Sequence, residues 1–496
     1  MKKFILAIDQ GTTGTTALLV EQETMNIVSK NNMEFTQIFP KPGLVEHNLN
    51  DIWSTVKETT LNVIKDAQIN PNQIISIGIT NQRETTCAYD HSGTPLANAI
   101  VWQDRRTSEY CNHKRQDYSQ YQKVTGLPLD PYFSATKMRW LLKNSDPVKV
   151  AAEKNILHLS TIDSFLLFKM TNHKTFKTEA TNASRTLLMD LESCQWSSAL
   201  LDFFSLKKSF LPEICDSFTT FGETEGLDFL PDGIPISCIL GDQQAALFGQ
   251  TGIHKGDIKC TYGTGAFILL NTGNETRFSK NGLLTTVAFK HQGKPHYALE
   301  GSSYIAGAAV QWLRDNLNII ESSFEIETLA RKVENLSEVE FLQFFPFFTG
   351  IGSPYWNPNA KGAIIGLTRD TQNQHLARVC LEGVALSVND SISALAKDLD
   401  YEISEIRVDG GASLNDLLME IQANFSDKKI IRPKIIETTA YGVCIGSLIG
   451  INLISFEQLS TLWKIDKEFI PNSSDYYEKK KSMWTDYIEK NFSYLP

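Results

Sequence analysis

The run FILAIDQGTTGTTALLV at residues 4–20 constrains the fold more than any other stretch. An apolar, β-rich segment ends in Asp9, turns through glycines and threonines, and becomes a second apolar segment. The same design returns as IKCTYGTGAFILL at residues 258–270. Two strand–turn–strand units, one in each half, predict two related domains facing a shared ligand. The competing explanation is coincidence, because Gly and Thr are common turn residues.

The rest of the chain keeps to this style. FILAID, TALLV, IISIGIT and AIVWQD read as strands, as do IKCTYG, AFILLNTG and IRVDGGAS. Between them, apolar positions at every third or fourth residue predict helices over 49–67, with Asn50 as N-cap, and over 301–317, 373–399 and 414–425. The segment from Pro471 reads as a charged amphipathic helix whose KKK run is a solvated face. Such alternation predicts an α/β class with covered sheets. At 496 residues the chain is long enough for two to four domains.

Charge and cysteines narrow the classes. A formal net charge of −10 argues against non-specific nucleic-acid or anionic-membrane binding. The run after MKK is too short for a secretory leader, and Asp9 interrupts it. No stretch of 18 or more consecutive apolar residues occurs, so no membrane span is expected. The eight cysteines are scattered with no CxxC pair, which points to reduced thiols and a cytoplasmic protein.

Four stretches carry chemistry. Glycines at 11 and 14 let backbone amides approach a ligand, and neighbouring hydroxyls add donors, which suits phosphate. A carboxylate beside phosphate requires a cation, so Asp9 implies Mg²⁺ held through water. An ordinary hairpin is the alternative. In NQRETT an apolar strand ends in Asn81, Gln82, Arg83 and Glu84, able to bind a hydroxyl-rich molecule at a sheet edge, or to form a plain surface salt bridge. In GDQQAALFGQ, Asp242 follows a buried strand and stands as a general base or as a helix cap. In VDGGASLND, paired glycines allow flat packing against a ring, and Asn415 in the first helical turn is able to bond a base or ribose. GxxxxGK[ST], HExxH and GxSxG are all absent from the sequence. Trp102 and the run QFFPFFTG read by themselves as core.

Taken together, DQGTTG, NQRETT, VWQDRRT, GLPLDPYFSATKMRWLL, TNASRT, GDQQAALFGQ, TYGTG, ALEGSSYIAGAAVQWLRD and DGGAS resemble, in the same order, the FGGY carbohydrate kinases, and among them those acting on glycerol. The resemblance runs from Asp9 to at least ETTAYG at 437–442. It implies two actin-like, ribonuclease-H-like domains, residues 1–246 and 247–496, with an active-site cleft between them. It further implies ATP-dependent phosphorylation of glycerol to sn-glycerol 3-phosphate, with MgATP as co-substrate. Other FGGY activities, on xylulose or another polyol, and a non-catalytic nucleotide-binding role are the alternatives.

By the same resemblance, Arg83, Glu84, Tyr132, Asp242 and Gln243 hold the triol, while Trp102 and Phe267 cover its carbon chain. Asp242 is the general base. Thr12, Thr13, Gly14, Thr16, Thr264, Gly307, Gln311, Gly411 and Asn415 fall at nucleotide positions. Asp9 and Asp242 face the metal. A homodimer or homotetramer in the cytoplasm is expected, with no nucleic-acid partner. The chain departs from the family pattern in several places. Thr16 stands where an Arg is common, Val379 where Ala is usual, and PYWN replaces PYWD at Asn357. The stretch GLDFLPDGIPIS lacks the Arg of the loop that binds fructose 1,6-bisphosphate in some bacterial members.

Overall fold

The computed structural model describes residues 2–472 and 474–492. The first domain is built on a six-stranded sheet. Its strands are β1 (Phe4–Gln10), β2 (Gly14–Glu21), β3 (Ile27–Glu34), β4 (Ile74–Asn81), β5 (Phe218–Glu223) and β6 (Pro235–Gly241), in the order β5-β6-β4-β1-β2-β3. A seven-stranded sheet forms the second domain. It contains β7 (Ile258–Tyr262), β8 (Ala266–Gly273), β9 (Leu284–His291), β10 (Lys294–Ser303), β11 (Glu405–Asp409), β12 (Lys429–Pro433) and β13 (Ile465–Phe469), in the order β9-β10-β8-β7-β11-β12-β13.

The two sheets share one core topology. In each, an opening antiparallel hairpin is extended by a third antiparallel strand on one side: β1-β2-β3 and β7-β8-β10. On the other side the first strand continues through two parallel neighbours, β1-β4-β6 and β7-β11-β12. The DQGTTG and TYGTG echo is therefore a repeat of fold, and both turns occupy the same place in it.

Several helices position the site: α1 (Leu49–Asp66), α2 (Asp242–Gly249), α3 (Gly307–Asp315), α4 (Asn373–Asp398), α5 (Asp416–Ser426), α6 (Thr438–Gly450) and α7 (Asp475–Phe492). β1 is buried on both faces, as expected of a strand covered on each side. Phe4, Leu6 and Ile8 meet the Ile52, Val56 and Val63 stripe of α1, while Ile5 and Ala7 pack in the core that contains Val443 and Leu448 of α6. α4 is the one helix among the described residues long and apolar enough to cross a membrane, and it is buried in the second domain's core. The segment between β4 and β5 builds a further core, which rests on Leu284, Val287 and Tyr297 of the second sheet.

Some local expectations need correction. α1 is capped by Asn48, whose side chain accepts from the Asn50 amide at 2.8 Å, so the cap lies two residues before Asn50. AIVWQD supplies only a two-residue strand, Ala99–Ile100. Beyond it the chain turns so that Asp104 accepts from the Val45 amide at 2.7 Å. The helix expected over 301–317 starts at Gly307, because Gly301 to Ser303 pair with β8. Within KKK, Lys480 is buried and pairs with Glu382 at 3.0 Å, which also holds Arg378 at 2.7 Å.

α6 follows a strand of the second sheet yet lies on the first sheet and crosses α2. Glycine makes this approach possible. A Cβ on Gly442 would meet the Ala245 carbonyl oxygen at 2.0 Å and the Gly249 nitrogen at 2.9 Å. On Gly249 it would meet the Thr438 carbonyl oxygen at 2.1 Å, and on Gly450 the Ser237 carbonyl oxygen at 1.9 Å. These neighbours are backbone and cannot swing aside. Gly442→Ala is therefore expected to cost about 3 kcal/mol of stability in denaturant unfolding, at the severe end of overpacking. A loss below about 1 kcal/mol would contradict backbone-on-backbone packing here.

Candidate active site

The turn after β1 is closed by the Gly11 amide donating to the Gly14 carbonyl at 2.9 Å. Gln82 braces it from beneath. Its backbone amide donates to the Gln10 carbonyl at 2.7 Å, and its side-chain amide donates to Gln10 Oε1 at 3.0 Å and to the Gly11 carbonyl at 3.2 Å. Thr12 Oγ1 accepts from Trp102 Nε1 at 2.9 Å, and Thr16 Oγ1 accepts from Asn32 Nδ2 at 2.8 Å. Thr13 is exposed and Gly14 is buried against the Met33 carbonyl.

The matching turn of the second domain is closed by the Gly263 amide on the Gly265 carbonyl at 2.9 Å. The start of α3 is docked onto it, with Ala306 and Ala308 amides donating to the Thr264 carbonyl at 2.8 and 3.1 Å. Beside this junction lies a cavity of about 310 Å³. Thr264, Gly307, Gln311, Gly411 and Asn415 line it, with Val310, Ile326 and Leu418 as apolar walls. A Cβ on Gly411 would touch nothing within 4 Å, so this wall is flat and open. Asn415 is the N-cap of α5: its Oδ1 accepts from the Leu418 amide at 2.9 Å, which leaves its NH₂ for a ligand. An apolar slot with a few convergent polar groups suits a nucleobase and ribose. A larger space of about 800 Å³ shares Thr264 and runs between Trp102, Asp130, Tyr304 and Trp356, touching both domains.

At the carboxyl edges of β4 and β6 the candidate acceptor residues converge. Arg83 Nε stands 3.0 Å from Asp242 Oδ1. Gln243 donates to the same carboxylate, from its amide to Oδ1 at 2.7 Å and from Nε2 to Oδ2 at 3.2 Å. Trp102 and Tyr132 meet edge to face with centroids 5.5 Å apart. Phe267 lies half-buried on β8 and makes no ring contact with that pair.

Three residues that the sequence did not single out organise this site. Glu300 of β10 grips Arg83 bidentately, at 2.5 Å to Nη1 and 3.0 Å to Nη2, and accepts from Arg185 Nη2 at 3.1 Å. Arg185 Nε donates to Glu84 Oε1 at 2.5 Å. The result is a buried Arg83–Glu300–Arg185–Glu84 chain that joins the two domains. Burial alone would push the Glu300 carboxyl up, but the Arg185 and Arg83 guanidiniums outweigh it and hold it at about 2. At Glu84 burial wins and the carboxyl rises above its ordinary value. Lys259, buried on β7, donates to Gln243 Oε1 at 2.5 Å and to Thr261 Oγ1 at 2.8 Å. TNASRT and ALEGSSY were visible as motifs, but nothing in them separates Arg185 and Glu300 from their neighbours.

The Asp9 carboxylate has no hydrogen-bond or ion-pair partner among the described residues. Burial, and then the Asp242 charge, push its carboxyl up to about 8. Two carboxylates near enough for their charges to oppose one another, Asp9 and Asp242, fit a hard divalent cation that takes oxygen ligands. No group of three or more His, Cys, Asp or Glu side chains able to hold a metal occurs among the described residues, so phosphate and water oxygens would complete the shell.

Paired phosphate-type turns, a nucleotide-sized slot and a polar pocket between two repeated sheets define a two-domain kinase of the actin-like type. The chain belongs to the FGGY family of carbohydrate kinases, its residues 4–249 matching the N-terminal domain and 258–449 the C-terminal domain. It is 45% identical to a glycerol kinase of Bdellovibrio bacteriovorus, over 99% of this chain and 99% of that protein. It is also 45% identical to a glycerol kinase of Saccharolobus islandicus, over 98% of this chain and 96% of that protein. The crystal structure of Plasmodium falciparum glycerol kinase with ADP superposes with a TM-score of 0.90 at 34% identity, covering 100% of this chain and 99% of that one.

Removing one partner from a buried charge chain leaves the others uncompensated. Glu300→Gln is expected to lower unfolding stability by about 3–5 kcal/mol. Denaturant titration checks this, and an unchanged midpoint would mean that the two guanidiniums do not depend on Glu300.

Proposed function

We propose that this chain transfers the γ-phosphoryl group of ATP to a terminal hydroxyl of glycerol, giving sn-glycerol 3-phosphate and ADP. The observation that carries this reading is the Asp242 carboxylate, set 3.0 Å from Arg83 Nε and bonded by Gln243, beside a buried charge chain in which Arg185 Nη1 has no hydrogen-bond partner among the described residues. An orphaned buried donor calls for a ligand rich in acceptors. A triol supplies them, and the Trp102–Tyr132 corner suits its carbon chain. Full-length similarity to glycerol kinases supports the same acceptor.

Phosphoryl transfer asks for positioning and charge neutralisation more than covalent help. The turns at Gly11–Gly14 and Gly263–Gly265 grip the phosphates from opposite domains, with Thr12, Thr13, Gly14 and Thr16 on one side and Thr264 on the other. Gly307, Gln311, Gly411 and Asn415 seat the nucleoside. Mg²⁺, held near Asp9 and Asp242, would supply positive charge to the phosphate oxygens. Asp242 takes the proton of the attacking hydroxyl. Arg83 fixes its Oδ1, while Oδ2 bonds only Gln243 among the described residues and keeps a lone pair free. Glu84 and Gln243 orient the remaining hydroxyls, and Phe267 borders the pocket from the second domain. A division at 246/247 goes with this reading, as do a cytoplasmic homodimer or homotetramer and the absence of a nucleic-acid partner.

Asp242→Asn is expected to lower kcat by about 10²–10⁴-fold while glycerol still binds. A coupled ADP-release assay with calorimetry of glycerol binding reads both, and near-normal turnover would refute the general-base role. Across a panel of glycerol, erythritol and xylulose, glycerol should give the highest kcat/KM. A higher value for either of the others would overturn the acceptor assignment.

A further inference from the structure

The first Gly-Thr turn carries no cation of its own, although it faces the phosphates of a nucleotide. Thr16 offers one hydroxyl, already engaged by Asn32. The sheet register locates the nearest candidate. Asp9 pairs with Thr16, and Thr16 with Asn32, so these three side chains form one row across β1, β2 and β3. Lys30 pairs with Leu18 and belongs to the next row on the same face, since directly opposed residues share a face. Exposure along β3 agrees: Lys30 and Asn32 are exposed, whereas Asn31 turns the other way and accepts from Asn62 of α1 at 3.3 Å. Rows two residues apart are separated by about 6.5 Å, which a lysine side chain spans.

Lys30 is ion-paired with Glu437, the residue that leads into α6. The pair stands at the surface, with side chains 40% and 39% exposed. An ion pair this exposed is worth at most about 1 kcal/mol, so it exchanges readily for a stronger partner. Glu437 tolerates the loss, because a carboxylate at a helix N-terminus is stabilised by the backbone dipole. Asp242 and Glu437 crowd Asp9 with negative charge, and Lys30 is the cation that offsets them.

We propose that Lys30 is the side chain that neutralises nucleotide phosphate at the first Gly-Thr turn, leaving Glu437 when the nucleotide binds. This rests on the kinase reading above. Lys30 takes over the charge that an Arg at position 16 would supply, from the neighbouring strand instead of the turn.

MgADP affinity, measured by calorimetry on the full chain without acceptor, tests the assignment. Lys30→Met should weaken MgADP about tenfold or more, the size expected for a lost charge-assisted contact, with melting temperature and glycerol affinity unchanged. Lys30→Arg should stay within about threefold of the parent, and Thr16→Arg added to Lys30→Met should restore binding. Glu437→Gln should tighten MgADP, since it frees Lys30 and removes a competing carboxylate. A purely structural latch predicts instead that Lys30→Met and Glu437→Gln change affinity in the same direction, and that result would overturn the proposal. So would MgADP binding within about twofold of the parent in Lys30→Met. If the parent binds MgADP but does not bind or phosphorylate glycerol, the acceptor assignment fails while the Lys30 test still stands.

Discussion

The crossing of α2 and α6 is the contact on which the rest of the molecule depends. Both helices begin near the cleft, α2 with Asp242 and α6 just after Glu437. Their separation is set by main chain meeting main chain at Gly249 and Gly442. Side-chain packing would leave rotamer freedom at such a junction, whereas peptide groups in contact leave almost none. The same glycines bring Val443 against Gly78 of β4, so the strand that ends in Asn81 is fixed by the helix that carries Glu437 at its start. Placement of the candidate base, of the NQRE edge and of the Lys30 partner thus follows from one backbone contact.

The second constraint is electrostatic. Arg83, Glu84, Arg185 and Glu300 lie almost wholly out of water, and each guanidinium meets a carboxylate. Desolvation makes such a chain a poor source of stability compared with apolar packing. Its value lies in direction. Glu300 comes from the second domain, so Arg83 adopts its bidentate geometry only when both domains are assembled. A site fixed in this way meets its ligand with donors already aimed, which is how positioning lowers a barrier.

Much of this was legible in the sequence, and the limits have physical causes. The two hairpins were plain because strand period, apolar content and turn chemistry agree at residues 4–20 and 258–270. They implied two related domains, whereas the order of strands in each sheet emerged only in the structure. The cap of α1 was misplaced because Asn48 and Asn50 have the same chemistry two positions apart, and only backbone angles distinguish them. AIVWQD reads as a strand by composition, yet Asp104 turns it by bonding a segment far back along the chain. Glu300 was invisible for a similar reason: its partners are Arg83 and Arg185, and a lone Glu inside HYALEGSS carries no periodic signal. Lys480 was read as solvated because a KKK run hides which member turns inward to Glu382. The resemblance supplied the candidate nucleotide residues. The cavity gathers those of the second domain, while Thr12 to Thr16 stand apart on the opposite jaw.

The hydrogen bond from Trp102 to Thr12 ties the wall of the candidate acceptor pocket to the turn proposed to hold the phosphates. A hydroxyl side chain with a single anchor takes its orientation from that anchor. Any substitution that removes the Trp102 indole therefore also frees the Thr12 hydroxyl on the candidate nucleotide side of the cleft. On the proposed reading, acceptor range and nucleotide grip are thereby coupled, and room for a bulkier acceptor at Trp102 calls for a second change beside Thr12.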